Sequence, residues 1–496
     1  MGTASQGEQY QTTAEMSFWR SWGLPIGAAL ALTPLALIAH SYKFVNDDQI
    51  LYIPFVRRRL DASLYPGDYF FNQPQASISL FEDILGGPSG WLGLEWTMLL
   101  GYLVAQASIL LCLHILARRL VSGRAAYLAM VLFIMPVSIG GTFVRPYDNY
   151  FNPRTFSLPL GLLALGALWG RRPWPAAILV SLHLLLHPLS GLHAWLVAAL
   201  LFALWAWQGL IPARSLVGPS GLLLGVLALL VWNGRGNSAL WLDPAWRAVL
   251  EQRTPYVFLG SWKAEHWIAL GLYVMLGILA WRSLRHDLRT TQLGLAVLAV
   301  ALGVTLAVAV GVDCLGLAPP AQLQLARGWW MAIVLAVIFG ADLVLTLYER
   351  GDWGSLLAAS LLGVAIYLNR ADAEWQPALA ALLVALLLAQ ALEHLWGARL
   401  SRGVEVVLAM AGLGVLLPAL LGVWPATRGW AWVKLTDGWR LPQEAVWPAV
   451  LVMGVLLAVK KLRSEQKRTA SNWAEAAMGG LLILVVLWAG EWRQRD

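Results

Sequence analysis

Long apolar runs alternate with polar connections along almost the whole chain of 496 residues. A helix that crosses a lipid bilayer needs about 20 mainly apolar residues, and runs near that length recur from end to end. The pattern predicts an all-α polytopic membrane protein with about 13 to 15 transmembrane helices. The predicted spans are 24–40, 96–117, 125–140, 155–169, 175–187, 192–207, 216–232, 267–281, 293–312, 329–347, 355–368, 378–396, 404–423, 446–459 and 473–488.

The connections between these spans differ in charge and in length. Five short connections are rich in arginine and lysine, at 118–124, 170–175, 282–289, 397–402 and 460–468. Cytoplasmic loops carry such an excess of basic residues, so the sequence predicts that these connections and the N-terminus lie inside. The connections on the other side are longer, and loops held by a rigid scaffold are where functional sites usually lie. We therefore expect the chemistry on the outer face.

The composition agrees with a membrane protein. Hydrophobic residues make up 59% of the chain and charged residues 13%, whereas soluble domains carry about 25% charged residues. The net charge of +7 is compatible with nucleic-acid binding, but the cations are spread over short loops instead of forming one basic face. The sequence therefore predicts membrane lipids as partners and no nucleic acid.

The predicted domain organisation has three parts. A cytoplasmic N-terminal segment is followed by a transmembrane core, and further transmembrane helices without a large soluble domain complete the chain. The parts are 1–21, then 22–347 with outer loops at 41–95, 141–154 and 233–266, and finally 348–496.

The first outer loop carries the most informative pattern. It begins SYKFVNDDQILYIPFVRRRLDASLYPGDYF, where apolar residues followed by three arginines indicate an amphipathic helix in the headgroup plane. Asp47 and Asp48 stand at the start of that helix. Either carboxylate could act as a general base toward an acceptor hydroxyl or anchor a divalent cation, and the alternative is helix capping. Asp68 is a third acidic candidate, for which a Pro-Gly turn is the alternative explanation.

The second outer loop combines charge with aromatic residues. Arg145, Asp148 and Arg154 lie within FVRPYDNYFNPRT, and their guanidinium groups could hold phosphate while the aromatic rings stack on a sugar. The alternative is an Arg-Asp pair that fixes a turn-rich loop. Both interpretations are open from the sequence.

A short span ends at His187-Pro188. His183 and His187 lie four residues apart and therefore on one helix face, and His193 follows the break. An interrupted span is tolerated at membrane depth where protein or water satisfies the freed backbone, which predicts a cavity here. The histidine pair could bind a metal, but no third ligand has a recognisable spacing, and hydrogen bonding between helices is the alternative.

Two further outer regions contain candidate residues. Arg253, Lys263 and His266 lie in a segment that alternates charged with aromatic residues, and they could contact a donor phosphate unless the segment only ties two spans together. Arg327 precedes the span at 329–347. Arginine near bilayer depth tends to mark function or to snorkel to the surface.

The order of these patterns resembles the C-type (GT-C) superfamily of glycosyltransferases, in particular its poorly characterised bacterial members. These polytopic enzymes take a sugar from a polyprenyl-phosphate carrier on the outer side of the membrane. The resemblance covers the acidic pair with the helix and LYPGDYF that follow it, then RTFSLPLGLLALGALWGRR, LHLLLHPLSGLHA and QLQLARGWWM.

The resemblance implies roles for particular residues. Asp47 or Asp48 matches the catalytic acidic position, and Asp48 is preferred because Asp47 is better placed to cap the helix. His187 or His193 would face the cavity, and Arg327 matches the arginine that contacts the carrier phosphate. The resemblance also implies a location in the bacterial cytoplasmic membrane.

Three functions compete at this point. The first is a glycosyltransferase that uses a polyprenyl-phosphate-linked sugar, with Mg²⁺ or Mn²⁺ as a candidate cofactor. The second is a non-catalytic scaffold of the same fold in a larger membrane protein complex, because many relatives end in an outer soluble domain and this sequence ends in apolar spans. The third is a lipid or solute transporter, for which inverted repeats would be expected.

Overall fold

The structure is a computed structural model. It describes residues 22–40, 42–46, 48–69, 71, 79–134, 139–142, 145, 148–233, 239–283, 287–351, 353–368, 376–396, 404, 406, 407 and 410. Asp47, the predicted N-terminal segment 1–21 and the predicted spans at 446–459 and 473–488 lie outside the described residues, as does most of the predicted span at 404–423.

The described residues form helices and no strand of a sheet. An isolated antiparallel bridge pairs Trp241 with Leu317. The helices are α1 Leu24–His40, α2 Gln49–Leu60, α3 Phe81–Leu92, α4 Leu94–Leu120, α5 Gly123–Phe133, α6 Pro153–Trp169, α7 Pro173–Leu186, α8 Pro188–Trp207, α9 Ala213–Asn233, α10 Pro244–Arg253, α11 Ala264–Ser283, α12 Leu288–Val308, α13 Ala318–Gln322, α14 Trp330–Arg350, α15 Trp353–Leu368 and α16 Gln376–Trp396.

Helices long and apolar enough to cross a membrane account for much of the described chain. There are six of them among the described residues, and five shorter apolar helices accompany them. The chain is therefore an all-α, multi-pass membrane protein, as the apolar pattern predicts. The six are Leu94–Leu120, Pro188–Trp207, Ala213–Trp232, Ala264–Arg282, Leu288–Cys314 and Leu325–Arg350. The larger predicted number of spans stays a prediction.

Local chemistry explains where several of these helices begin. Asn152 caps α6 by accepting a hydrogen bond from the Thr155 backbone at 2.8 Å, and Pro153 occupies the first turn. The His187 side chain caps α8 in the same way, because its Nδ1 accepts from the Ser190 backbone at 3.1 Å. Proline at the first helical position needs no hydrogen-bond acceptor there, so both starts are well defined. The predicted break at His187-Pro188 is confirmed.

Helix α14 lies in the middle of the bundle. It packs against α5, α11 and α15, and its side chains are buried along most of its length. Helix α6 packs against α4 and α7. A close approach occurs at Gly161 of α6, where a Cβ atom would lie 2.8 Å from the His183 ring. The absence of a side chain at Gly161 therefore sets how closely α6 and α7 pack near the predicted cavity.

The described part of 41–95, which the sequence predicts as the first outer loop, contains two helices, α2 and α3. The amphipathic helix predicted from the sequence is confirmed as α2: Ile53 and Val56 are buried against α3, while Ile50 is 60% exposed. The sequence did not predict α3, which buries Phe81 on the same apolar cluster. The first outer loop is therefore a packed unit on the transmembrane bundle.

Three of the five predicted basic connections meet at one end of the bundle, and the other two lie outside the described residues. Arg119 at the end of α4 donates to the Gly166 carbonyl near the end of α6. Trp169 Nε1 donates to Thr290 Oγ1 at the start of α12, at 3.0 Å. We call this end, formed by the described residues of 118–124, 170–175 and 282–289, the basic end. Since α6 rises about 1.5 Å per residue, Arg154 at its other end lies roughly 23 Å away.

Candidate functional site

Asp48 lies directly before α2, with its carboxylate partly exposed. Its side chain makes no capping hydrogen bond. The neighbouring Gln49 side chain binds the preceding backbone instead: Gln49 Oε1 accepts a hydrogen bond from the Val45 backbone N–H at 2.9 Å. Asp48 Oδ2 lies 3.9 Å from Arg154 Nη2. Helix capping therefore does not explain the Asp48 carboxylate, which is available for interactions at the start of α6.

Arg154 and Asp148 form a buried ion pair. Asp148 Oδ2 accepts from Arg154 Nε at 3.1 Å and also from Arg154 Nη2. Asn152 Nδ2 donates to the same oxygen at 2.6 Å. The side chains of Arg154 and Asp148 are less than 10% exposed. The Arg-Asp interpretation of the second outer loop is thus confirmed, and Arg145 lies half-buried in the same loop.

The first and second outer loops are joined by hydrogen bonds. Gln49 Nε2 donates to the Phe151 carbonyl at 3.0 Å, and the Lys43 backbone donates to the Asn149 carbonyl at 3.2 Å. The Gln49 side chain is fully buried. Gln49 therefore connects the residue next to Asp48 with the loop that carries Asp148, which fixes Asp48 relative to Arg154.

A narrow cavity lies beside the Arg154-Asp148 pair. Its volume is about 320 Å³, which includes the open space at its mouth, and the cavity admits a water-sized group. Residues from four separate segments form its wall: Ile139, Arg154, Leu158, His187, Ser190, Arg327 and Trp330. Three predicted site residues, Arg154, His187 and Arg327, thus face one cavity. The cavity predicted at the His187-Pro188 break is present.

His187 is held in one orientation by Ser190. Ser190 Oγ lies 2.6 Å from His187 Nδ1 and 2.7 Å from His183 Nε2. Because the Ser190 backbone N–H also points at His187 Nδ1, that nitrogen is an acceptor, and the neutral ring carries its proton on Nε2. His183 and His187 therefore share the Ser190 hydroxyl in a hydrogen-bond network that joins α7 to α8. This is the hydrogen bonding between helices that the sequence offered as the alternative to metal binding. The remaining ring nitrogen of His187 is an N–H donor.

Arg327 brings a cation to the cavity without a matching carboxylate. Its Nη2 donates to the Tyr256 hydroxyl at 3.3 Å, and its guanidinium group lies 5.5 Å from the centre of the Tyr256 ring. No carboxylate of the described residues lies within ion-pair distance. Its Nε is buried and has no hydrogen-bond partner among the described residues. A buried, unsatisfied donor on a cation fits an anion.

His193 supports the segment that carries Arg327. Its Nε2 lies 3.0 Å from the Leu325 carbonyl, and Gly328 approaches so closely that a Cβ atom there would lie 2.7 Å from the ring. His193 is fully buried and is not part of the cavity wall. Of the two histidines that the resemblance implies at the cavity, His187 lines it and His193 positions the neighbouring turn.

Eight of the described predicted site residues are not part of the cavity wall: Asp48, Arg145, Asp148 and His193, which are discussed above, and Asp68, Arg253, Lys263 and His266. Asp68 is exposed in a turn, where its backbone donates to the Tyr65 carbonyl at 3.3 Å. Arg253 is exposed at the end of α10. Lys263 lies 3.6 Å from the Glu265 carboxylate, and its backbone donates to His266 Nδ1 at 3.2 Å. The charged residues at Lys263 and Glu265 therefore make local contacts within their own segment.

The described residues do not fit a divalent cation. No group of three or more histidine, cysteine, aspartate or glutamate side chains comes together among them. The Asp48 carboxylate faces the Arg154 guanidinium group, and Asp148 already accepts three hydrogen bonds from Arg154 and Asn152. Two arginines at the site repel a metal ion. The described donors are suited to an anion.

Tyr52 of α2 lies near the charged groups of the site, a position that the sequence did not predict. Burial raises the pKa of its hydroxyl, the Asp48 carboxylate raises it further, and Arg154 lowers it. Glu82 and Arg327 act on the same hydroxyl. Tyr52 therefore lies within the field of all four charged groups. An aromatic residue on an amphipathic helix carries no signal that distinguishes this role from packing.

Glu82 at the start of α3 was also missed. It is 5% exposed, and burial raises the pKa of its carboxyl from 4.5 to about 7, with a smaller contribution from Asp83 in the same direction. Arg59 acts in the opposite direction, and it forms an ion pair with Asp83 at 2.7 Å. Glu82 is therefore a carboxyl group that titrates close to neutral pH.

We expect Glu82 to make the stability of the fold depend on pH. The pKa of Glu82 is about 7 in the folded chain and 4.5 in the unfolded chain. The fold is therefore most stable below pH 4.5, where Glu82 is protonated in both states, and it loses stability as the pH rises from 4.5 to about 7. The Glu82→Gln variant does not lose this stability. Its free energy of unfolding, relative to that of the natural chain, should therefore rise by roughly 3 kcal/mol from about pH 5 to about pH 8. Thermal unfolding in detergent at the two pH values measures this gain. An equal difference at both values would contradict it, and Glu251→Gln, on the exposed face of α10, is the control.

No protein-family model matches the chain, and neither a curated protein nor a solved structure matches it. The resemblance to the C-type superfamily therefore depends on the sequence patterns themselves. Arg154, His187 and Arg327 come from distant parts of the chain and line one cavity, and Asp48 Oδ2 lies 3.9 Å from Arg154 Nη2.

Proposed function

We propose that the chain is a membrane glycosyltransferase of the C-type superfamily, which moves a sugar from a polyprenyl-phosphate carrier to an acceptor hydroxyl. One observation carries the proposal: Arg327, whose buried Nε has no hydrogen-bond partner among the described residues, lines the same cavity as Arg154, which lies 3.9 Å from Asp48. A carboxylate base and an anion-binding cation are the two groups that this transfer needs.

Asp48 is the proposed general base. Its carboxylate is 43% exposed, so an acceptor hydroxyl can approach it. Asp48 takes the hydroxyl proton as the acceptor oxygen forms a bond to the anomeric carbon. The bond between that carbon and the carrier phosphate oxygen breaks, and its electron pair stays on the phosphate. Attack from the opposite side inverts the configuration at the sugar.

Arg327 and His187 are the proposed contacts of the carrier phosphate. Negative charge develops on the phosphate as it leaves, and a preorganised donor in a site of low dielectric constant stabilises it. The buried Nε of Arg327 and the Nε2–H of His187 are such donors, held by Tyr256 and Ser190 respectively. The proposal needs no metal ion, since these groups already carry the required charge.

The same proposal includes the orientation in the membrane. The described basic connections lie at one end of α6 and the cavity lies at the other. By the positive-inside rule, the basic end would face the cytoplasm of a bacterial cell and the cavity the outer side of its cytoplasmic membrane. The N-terminus would then be cytoplasmic.

We expect Arg327→Gln to lose more than about tenfold in affinity for a polyprenyl monophosphate, because charge-assisted hydrogen bonds to phosphate are lost. Binding to the purified full-length chain in nanodiscs can be measured with a labelled polyprenyl monophosphate. The matched control is Arg253→Gln, an exposed arginine of the third outer loop. Equal affinity of the Arg327→Gln variant and the natural chain would contradict the proposed phosphate site.

A non-catalytic scaffold in a larger membrane complex is the second candidate function. The observation that favours it is the narrowness of the cavity, which has room for little more than a water-sized group. Purification from native membranes distinguishes the two functions. A fixed partner subunit with no release of polyprenyl phosphate from any lipid-linked sugar would support the scaffold and contradict the transferase.

A further inference from the structure

The basic end carries four arginines from three helix ends. Arg119 ends α4, Arg171 and Arg172 form the turn between α6 and α7, and Arg289 begins α12. The turn and the start of α12 are in direct contact, since Trp169 Nε1 donates to Thr290 Oγ1 at 3.0 Å. These side chains lie at the opposite end of α6 from the candidate functional site. They form a separate cationic surface.

Packing and hydrogen bonds hold these arginines in place. Arg171 adopts a left-handed backbone conformation with φ +51°. Its Nη2 donates to Gln292 Oε1 at 3.1 Å, and Gln292 Nε2 donates in turn to Gln208 Oε1 at 2.7 Å. The Arg289 guanidinium group lies 5.7 Å from the centre of the Trp169 ring. The positive-inside rule requires only that basic residues are present, and it does not require hydrogen bonds or ring contacts that hold their side chains in place.

The charge of this cluster is not neutralised within the described residues. None of their carboxylates lies within ion-pair distance of Arg119, Arg171, Arg172 or Arg289. The nearby Asp287 caps α12, where it accepts from the Thr290 backbone at 3.3 Å. Arg171 Nε is buried and has no hydrogen-bond partner among the described residues. A group with several acceptor oxygens would satisfy it.

An apolar stripe starts beside the cluster and runs along α7. Trp174, Ile178 and Leu182 lie four residues apart, so they share one helix face. They are 52%, 47% and 44% exposed. Tryptophan is common at the membrane interface, and the two residues that follow lie deeper toward the bilayer centre. The surface therefore combines arginines at the depth of the lipid headgroups with an adjacent exposed apolar face of α7, on which an acyl chain can pack.

We propose that the basic end binds the phosphate headgroup of an anionic phospholipid, with Arg171 and Arg289 as its main contacts and the α7 stripe under one acyl chain. Arginine suits this ligand because its planar guanidinium group donates two hydrogen bonds to phosphate oxygens. Basic pockets between helix ends on the cytoplasmic side are typical headgroup sites. This site is independent of the proposed sugar transfer.

Lipid titration of the purified full-length chain tests the proposal. We expect phosphatidylglycerol to bind about tenfold more weakly to the Arg171→Gln/Arg289→Gln variant than to the natural chain, as native mass spectrometry would show. Arg214→Gln is the matched control, because Arg214 is an exposed arginine at the start of α9, at the same end. The single Arg289→Gln variant, whose side chain is exposed, should show a smaller loss with the fold intact.

Several results would overturn the lipid site. Unchanged phosphatidylglycerol binding in both variants would contradict the role of the arginines. Equally strong binding of phosphatidylcholine would show that headgroup charge is not recognised. Displacement of phosphatidylglycerol by inorganic phosphate at the same concentration would assign the surface to free phosphate instead of lipid. Glycosyl transfer is not used as a measurement, so these results do not depend on the proposed catalytic function.

Discussion

Replacing Asp48 by Asn should reduce sugar transfer by roughly 10²- to 10⁴-fold, because a general base at close range contributes about that much to the rate. Asn keeps the shape of the side chain but cannot take a proton from the acceptor hydroxyl. The double variant Asp47→Asn/Asp48→Asn should abolish transfer. Release of free polyprenyl phosphate from a panel of polyprenyl-phosphate sugars in vesicles measures the rate without knowledge of the sugar.

A matched variant distinguishes the role of Asp48 from a general effect of lost charge in the first outer loop. Asp68→Asn removes an exposed carboxylate from the same loop and should leave transfer unchanged. Because Asp48 makes no capping bond, Asp48→Asn should also insert and unfold like the natural chain. Retained transfer in the double variant would exclude the acidic pair as the base.

Replacing Asp148 by Asn should destabilise the fold by roughly 3 kcal/mol, because it leaves the buried Arg154 cation without its close partner. The Asp148 carboxylate accepts from Arg154 Nε at 3.1 Å, whereas Asp48 is 3.9 Å from Arg154 Nη2 and cannot replace it. The second outer loop should loosen first, since Asn152 also donates to Asp148.

The loss of stability can be followed with a thiol-reactive fluorophore. Cys112 is buried and reduced, so it reacts when the bundle unfolds, and Cys314→Ser in every variant removes the exposed thiol. Glu251→Gln is the control, because it breaks an exposed ion pair with Arg247, which contributes little. If the unfolding midpoints of Asp148→Asn and of the control coincide, the buried ion pair does not stabilise the fold.

Much of the fold follows from patterns that act over short distances. Proline lacks a backbone donor and disfavours helix at the preceding residue, so the break at His187-Pro188 can be predicted directly. Helix α2 follows from the run of apolar residues after Asp48 that ends in three arginines. Both features depend on neighbours in the sequence, and both are present in the structure.

Features that depend on distant contacts could not be predicted. Helix α3 contains three glycines and Pro88, residues that usually mark loops; it is helical because Phe81 and Leu85 pack on α2. The contact of Arg327 with Tyr256 joins residues 71 positions apart, and His193 reaches the Leu325 carbonyl across 132. No local pattern indicates such pairs.

The choice between phosphate binding and a structural ion pair in the second outer loop also needed the structure. Asp148 and Arg154 are separated by a turn and the first residues of α6, so their spacing alone fits either role. The fold directs Arg154 toward Asp148 and leaves Arg327 without a carboxylate among the described residues. The predicted anion-binding function is therefore stronger at Arg327 than at Arg154.

The most direct test of the proposed function is a cryo-electron microscopy structure of the full-length chain in lipid nanodiscs with a polyprenyl monophosphate added. The proposal predicts phosphate density within hydrogen-bond distance of Arg327 Nε, beside His187, with the lipid chain leaving between the outer-loop helices and the bundle. A cavity that contains ordered water at saturating lipid, in a chain that binds the lipid nowhere near Arg327, would contradict it.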